Sequence, residues 1–285
     1  MNRTSPHRSL ARRAAVAASV AGGIAATALL ATAGASATSA THHHRPAAEK
    51  PTIVLVHGAF ADSSSWNGVI KNLQREGYPV IAPANPLRGL HEDAAYLRSL
   101  LDSTPGPVVL VGHSYGGSVL SEAADGADNV KALVYIASFQ PDVGESTSAL
   151  AAKFPGGQLG EALHSVTVPQ PDGDTATDLY IQQDKFRAVF AADVSRNTAK
   201  LMAATQRPIT SAALDDTATK TAWKTIPSWS LITTQDLAIP ADSMRFMSKR
   251  ANSHTTEIDA SHAVTVSHPR AVSKLIDAAA RDTTG

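Results

Sequence analysis

The sequence predicts a three-layer α/β fold: a mostly parallel central sheet flanked by helices, with a small helical cap inserted between two of its strands. Three observations predict it. Short apolar runs without polar alternation recur along the chain, as strands buried on both faces require. Segments with apolar residues at helical spacing separate them, which is the rhythm of parallel strand–helix–strand units. That rhythm stops between Gln140 and Ile226 and then resumes.

Ile53 to Val56 is the first apolar run, ending in His57-Gly58. Trp66 to Glu76 reads as a helix, with Trp66, Val69, Ile70 and Leu73 on one face and Gly77 stopping it. Val80 to Ala82 is a second strand, closed by Pro83, and His91 to Asp102 a second helix built on Ala94, Ala95, Leu97, Leu100 and Leu101. Val108 to Val111 is a third strand, running straight into Gly112-His113-Ser114-Tyr115-Gly116 and a helix over Ser118 to Asp125. Val130 to Ile136 is the fourth. After the break come a strand at Trp229 to Ile232, a helix at Ala241 to Arg250, a strand at Thr255 to Ile258 and a last helix from Pro269 to about Ala280. The interrupted stretch, about 140 to 226, holds helical pieces at Leu179 to Asp193 and Asn197 to Thr205 among polar connectors, with no strand-like apolar run of comparable strength. An insertion at that point is placed to cover the carboxyl ends of the strands, where such sheets bind ligands.

Ahead of this domain, which should span 51 to 281, lie two other segments. Residues 1 to 13 carry Arg3, Arg8, Arg12 and Arg13 and no acid, and an uncharged Ala-rich run follows, reaching Ala35-Ser36-Ala37. A basic start, an apolar middle and a small-residue ending describe a signal peptide over 1 to 37, hence a secreted protein without membrane association after its removal. Both the general secretory and the twin-arginine route remain open, the latter through Arg12-Arg13. Residues 38 to 50, with His42, His43 and His44, read as a disordered linker.

Composition removes several function classes. Lys+Arg and Asp+Glu are both 25, which leaves no basic surplus for general nucleic-acid binding. Cysteine is absent, which excludes disulfide scaffolds, thiolate metal sites and thiol nucleophiles. Hydrophobic residues make up 43%, enough for one substantial core.

The chemistry gathers at strand ends. Gly112-His113-Ser114-Tyr115-Gly116 fits G-x-S-x-G at a sharp strand-to-helix turn, the context that marks a nucleophilic serine. Such a turn strains the backbone and leaves no room for side chains at its flanks, so glycine serves at both. A serine hydroxyl needs a base to take its proton. Of eleven histidines, His262 lies in the loop after the last strand and shares the carboxyl edge with Ser114. His57 reads as a structural hydrogen-bonder, His113 precedes the nucleophile, His91 starts a helix, His164 is in the cap, His254 is at the opposite edge, and capping accounts for His268. Asp236, in the loop after Trp229 to Ile232, is the candidate acid that orients the imidazole. Asp142 is its rival, and Asp259 reads as a loop residue. The backbone N–H groups of Tyr115 and Ala59 are the candidate oxyanion donors, with Phe60 next in line. Phe60 and Phe139 are candidate pocket residues, together with Trp66, Tyr115, Phe186 and Phe190.

Val56-His57-Gly58-Ala59-Phe60, Gly112 to Gly117, Asp236 to Pro240 and Ser261-His262-Ala263 resemble the α/β-hydrolase superfamily, specifically small bacterial esterase-like members akin to plant methylesterases and pyrethroid-hydrolysing carboxylesterases. The resemblance implies an α/β-hydrolase fold and a Ser-His-Asp triad cleaving small-molecule carboxylic esters through an acyl-enzyme, with no metal or organic cofactor. It leaves the substrate and the oligomeric state unassigned. Thioesters, lactones and amides fit the same groups. Hydroxynitrile lyases and cofactor-free perhydrolases of this fold remain alternatives, as does a binding protein with a vestigial triad.

Overall fold

The computed structural model describes residues 50–171 and 173–283, so the expected signal peptide and nearly all of the expected linker lie outside the described residues. Six strands form the main sheet: β1 (Thr52–Val56), β2 (Val80–Ile81), β3 (Val108–Ser114), β4 (Val130–Ser138), and two that follow the cap. Their spatial order is β2-β1-β3-β4, then the strands Ser228–Thr233 and His254–Ile258. Every neighbouring pair is parallel.

Strand sequence explains the layers. Side chains alternate across a strand, so an uninterrupted apolar run must meet a core on each side. Val54 and Val56 pack on one face with Leu110 and Leu133; Ile53 and Leu55 pack on the other with Val109, Val111 and Val134. Helices α1 (Asn67–Arg75) and, at the chain's end, Pro269–Asp282 cover the second face through Val69, Leu73, Val272 and Ile276. Helices α2 (Leu90–Ser103) and α3 (Gly116–Ala123) cover the first through Leu90, Leu97, Val119 and Leu120. Trp66 closes a 3₁₀ turn, Ser63–Trp66, whose first N–H groups are capped by Asp62, rather than beginning α1.

The chain leaves β1 for β2 on one side and later returns to place β3 on the other. Loops following β1 and β3 therefore diverge and open a crevice at their carboxyl ends, the place where sheets of this kind bind ligands.

The insertion between β4 and β8 (Ser228–Thr233) departs from the helical expectation. It contains α4 (Thr147–Ala151), α5 (Gln183–Phe190), α6 (Arg196–Thr205) and α7 (Ser211–Asp215), and also an antiparallel sheet of β5 (Leu163–Pro169), β6 (Thr175–Ile181) and β7 (Ile209–Thr210). Residues 179 to 181, expected at the start of a helix, belong to β6. These strands are partly exposed and carry His, Ser and Thr between apolar residues, so they lack the continuous apolar run of the main sheet. Beyond the cap, α8 (Ala241–Arg250), β9 (His254–Ile258), α9 (Val264–Ser267) and α10 (Pro269–Asp282) complete the chain. Among the described residues no helix is long and apolar enough to cross a membrane.

Candidate active site

Three strand ends meet in the crevice. Ser114 ends β3 with φ +55°, a left-handed conformation that an L side chain adopts at a cost. Neighbouring backbone holds it there. The Ser138 hydroxyl donates to the Ser114 carbonyl at 2.7 Å and the Phe139 N–H donates to it at 3.3 Å. The β3–β4 register shifts at this point, and Ala137 takes up the irregularity at φ +44°. Gly117 permits the approach: a Cβ there would stand 2.1 Å from Ser138 Oγ.

His262 follows β9 and Asp236 follows β8. Imidazole Nδ1 lies 2.8 Å from Asp236 Oδ2, and Nε2 lies 2.9 Å from Ser114 Oγ. A carboxylate only accepts, so Nδ1 carries the hydrogen and Nε2 presents its lone pair to the serine hydroxyl. Asp236 is fully engaged. Its Oδ1 accepts the N–H groups of Ala238 and Ile239, each at 2.8 Å, and its Oδ2 also accepts the Thr233 hydroxyl at 2.8 Å. All three residues are buried, Ser114 being the most exposed at 7%.

The loop after β1 is the fourth component. Gly58 lies against the elbow: a Cβ on it would stand 2.6 Å from Ser114 Cβ and 3.1 Å from the Tyr115 nitrogen. His57 fastens this loop, donating from Nδ1 to the Gly58 carbonyl at 2.9 Å and accepting the Asn85 N–H at Nε2 at 2.9 Å. Burial pulls His57 down to about 4, keeping it neutral in that role. Phe60, at φ +59°, donates its N–H to the Arg207 carbonyl of the cap at 3.1 Å. That donor is spent on the cap. The Tyr115 phenol turns away, donating to buried Asp93 at 2.8 Å.

The remaining candidates fall elsewhere. Asp142 pairs with Lys224, and Asp259 is exposed beside Thr234. His91 pairs with Glu122, His254 stacks on Trp229, and His164 lies on β5. His268 makes no side-chain cap to α10 and instead contacts Ser267. Phe139 is not brought to Phe60: it packs with Val111, Ile136 and Leu150 on the opposite face of the sheet, because a residue just past the β4 irregularity points into that layer.

Two residues at the site, Thr233 and His113, carry no signal of their role in the sequence, and a third, Phe190, is expected only as a pocket aromatic. Thr233 supports Asp236. Phe190 of the cap sets its ring edge-to-face on His262 at 4.7 Å, and its carbonyl accepts the Ala263 N–H at 2.9 Å. His113, buried beside His262, donates from Nε2 to the His262 carbonyl at 2.9 Å, and burial pulls it down to about 3. A G-x-S-x-G match shows only that position 113 tolerates any residue; its contact with the base is tertiary.

Comparison with known proteins identifies the family. The model of the alpha/beta hydrolase family matches residues 53–275. An alpha/beta hydrolase of Aspergillus novofumigatus is 29% identical over 255 residues, covering 81% of this chain and 97% of that protein. A carbendazim-hydrolysing esterase of Nocardioides sp. is 32% identical over 113 residues, 35% of this chain and 47% of that one. Among solved structures, polyneuridine aldehyde esterase superposes with a TM-score of 0.71 at 19% identity, over 81% of this chain and 99% of that one.

Proposed function

The chain belongs to the alpha/beta hydrolase family, and from that premise we propose that it is a carboxylic ester hydrolase working through Ser114, His262 and Asp236. The observation that carries this reading is the buried hydrogen-bond chain from Asp236 through His262 to Ser114 Oγ. Esterase activity named for a partial relative supports it. So does the fold shared with polyneuridine aldehyde esterase.

In this reading His262 Nε2 takes the hydroxyl proton as Ser114 Oγ attacks the ester carbonyl carbon. The carbonyl oxygen becomes an oxyanion, for which the N–H groups of Ala59 and Tyr115 are the donors in this reading; the close packing of Gly58 on the elbow, where a Cβ would stand 3.1 Å from the Tyr115 nitrogen, supports it. His262 then returns the proton to the leaving alcohol, and the acyl group stays on Ser114. Water repeats the sequence and releases the acid. Asp236 stays ionised throughout, holding the imidazole in one tautomer and offsetting its charge.

The test is hydrolysis of p-nitrophenyl esters from acetate to palmitate by the protein and by Ser114→Ala. Turnover should fall by about 10³-fold or more in the variant. Equal rates in the two proteins would remove Ser114 from the reaction.

A further inference from the structure

The loop that carries the base is held from the cap. Ser261 donates its backbone N–H to Asp193 Oδ2 at 3.1 Å, and its hydroxyl donates to Asp193 Oδ1. On the other side of His262, the Ala263 N–H donates to the Phe190 carbonyl at 2.9 Å. Both chain neighbours of the base are therefore tied to one turn of the cap, 190 to 193. From the main-sheet side the same loop is met by the Gln235 N–H, which donates to the Ala260 carbonyl, and by His113 on the His262 carbonyl.

The cap turn is itself held firmly. Arg187 of α5 reaches past its helix end, Nη2 donating to the Ala192 carbonyl at 2.7 Å and Nε to the Val194 carbonyl at 3.2 Å, so the backbone on both sides of Asp193 is fixed. The Val194 N–H closes on the Ala191 carbonyl at 3.1 Å, and the Ser195 hydroxyl then caps α6. Burial pushes the Asp193 carboxyl up, but hydrogen bonds from Ser261 and Ser267 outweigh it and hold the group below its usual range, so it is a carboxylate. A carboxylate that takes two donors of one residue on its two oxygens fixes direction as well as distance. His268 Nδ1, at 3.5 Å from Oδ2, is a weaker neighbour.

We infer that Asp193 is a positioning residue: by holding Ser261 it sets where the His262 imidazole stands between Ser114 and Asp236. The inference rests on the esterase reading above. Once its backbone is placed, an imidazole turns only about its side-chain torsions, and the bonds of 2.8 and 2.9 Å require both ring nitrogens to be met at once. A displacement of about 1 Å in such an arrangement costs about 10²-fold in rate. The carboxylate that prevents it belongs to the cap, so the seating of the cap and the alignment of the base are coupled.

The experiment measures kcat and KM on p-nitrophenyl butyrate, the melting temperature, and the downfield proton resonance of His262 Nδ1–H, in the protein and in Asp193→Ala, Asp193→Asn and Ser261→Ala. The resonance needs no turnover and reports the bond to Asp236 directly. Asp193→Ala should lower kcat by about 10- to 100-fold with KM within about a few-fold of the parent, and its resonance should broaden or vanish as the loosened Nδ1–H exchanges with water. Asp193→Asn keeps both links, its amide oxygen accepting the Ser261 N–H and its NH₂ donating to the hydroxyl oxygen, so most of kcat and the resonance should return. Ser261→Ala loses the hydroxyl bond alone and should fall between the two; it decides by the same readings if Asp193→Ala does not fold. A merely structural role would lower melting temperature and activity together and spare the resonance of the folded protein. Parent-like kcat in both Asp193→Ala and Ser261→Ala, or a lost kcat with the resonance intact, would overturn the inference. If Ser114→Ala hydrolyses the ester as fast as the parent, the esterase reading fails, and the resonance alone decides whether Asp193 seats His262.

Discussion

Asp236→Asn should lower kcat by about 10⁴-fold while KM moves only a few-fold. The hydrogen-bond pattern dictates the size of the effect. Oδ1 accepts two backbone N–H groups, from Ala238 and Ile239. An asparagine must turn its carbonyl oxygen to that side, which leaves its NH₂ facing His262 Nδ1. The imidazole then has to present a lone pair there and carry its hydrogen on Nε2, where it can no longer accept the serine proton. Folding should suffer less than catalysis, since shape and both backbone bonds are kept. Steady-state kinetics on a p-nitrophenyl ester check this. A rate within tenfold of the parent would mean that another group orients His262.

Acidification should destabilise the fold sharply between pH 6.5 and 5. His57 and His113 are buried neutral, with values depressed by burial from 6.5 to about 4 and about 3. Below pH 6.5 the unfolded chain binds protons at both positions and the folded chain does not, so the unfolded state gains as pH falls. Each pH unit below 6.5 costs about 1.4 kcal/mol per histidine until its folded value is reached. At pH 5 the two together remove about 4 kcal/mol, a large share of the ordinary 5–15 kcal/mol of a domain. Buried Asp93, raised by burial, works in the opposite sense by taking up a proton in the folded state. Urea unfolding at pH 8 and pH 5 measures the net effect. A midpoint independent of pH over this window would show that one or both histidines protonate without unfolding.

Most of what positions the site was legible because parallel sheets advertise their strands. Ile53 to Val56 and Val108 to Val111 are continuous apolar runs, and each ends in residues whose type announces chemistry: Gly58-Ala59 after the first, Ser114 between glycines after the second. Asp236 and His262 could be placed because the strands before them fix which edge of the sheet their loops occupy. The cap was harder to read. Leu179 to Asp193 looks like one helix, but its first residues pair with β5 and only Gln183–Phe190 coils into α5, since half-exposed strands mix polar residues into their apolar pattern. Phe139 shows the limit of adjacency: it follows β4 at the site's level, yet the irregularity at Ala137 sends it to the far layer. Thr233 bonds Asp236 three residues along the chain, whereas His113 reaches the His262 carbonyl and Phe190, expected only as a pocket aromatic, packs on the imidazole through tertiary contacts that nothing local in the chain announces.

The central claim is that Ser114 Oγ is the nucleophile, and covalent trapping tests it most directly. The protein would be treated with a p-nitrophenyl alkylphosphonate, digested and sequenced by mass spectrometry. Ser114 activated by His262 should leave a single phosphonylated peptide containing residues 112 to 117, with modification at Ser114, loss of hydrolysis in step with labelling, and no label in His262→Ala. A stoichiometric label on another serine, or full esterase activity surviving complete modification of Ser114, would contradict the account.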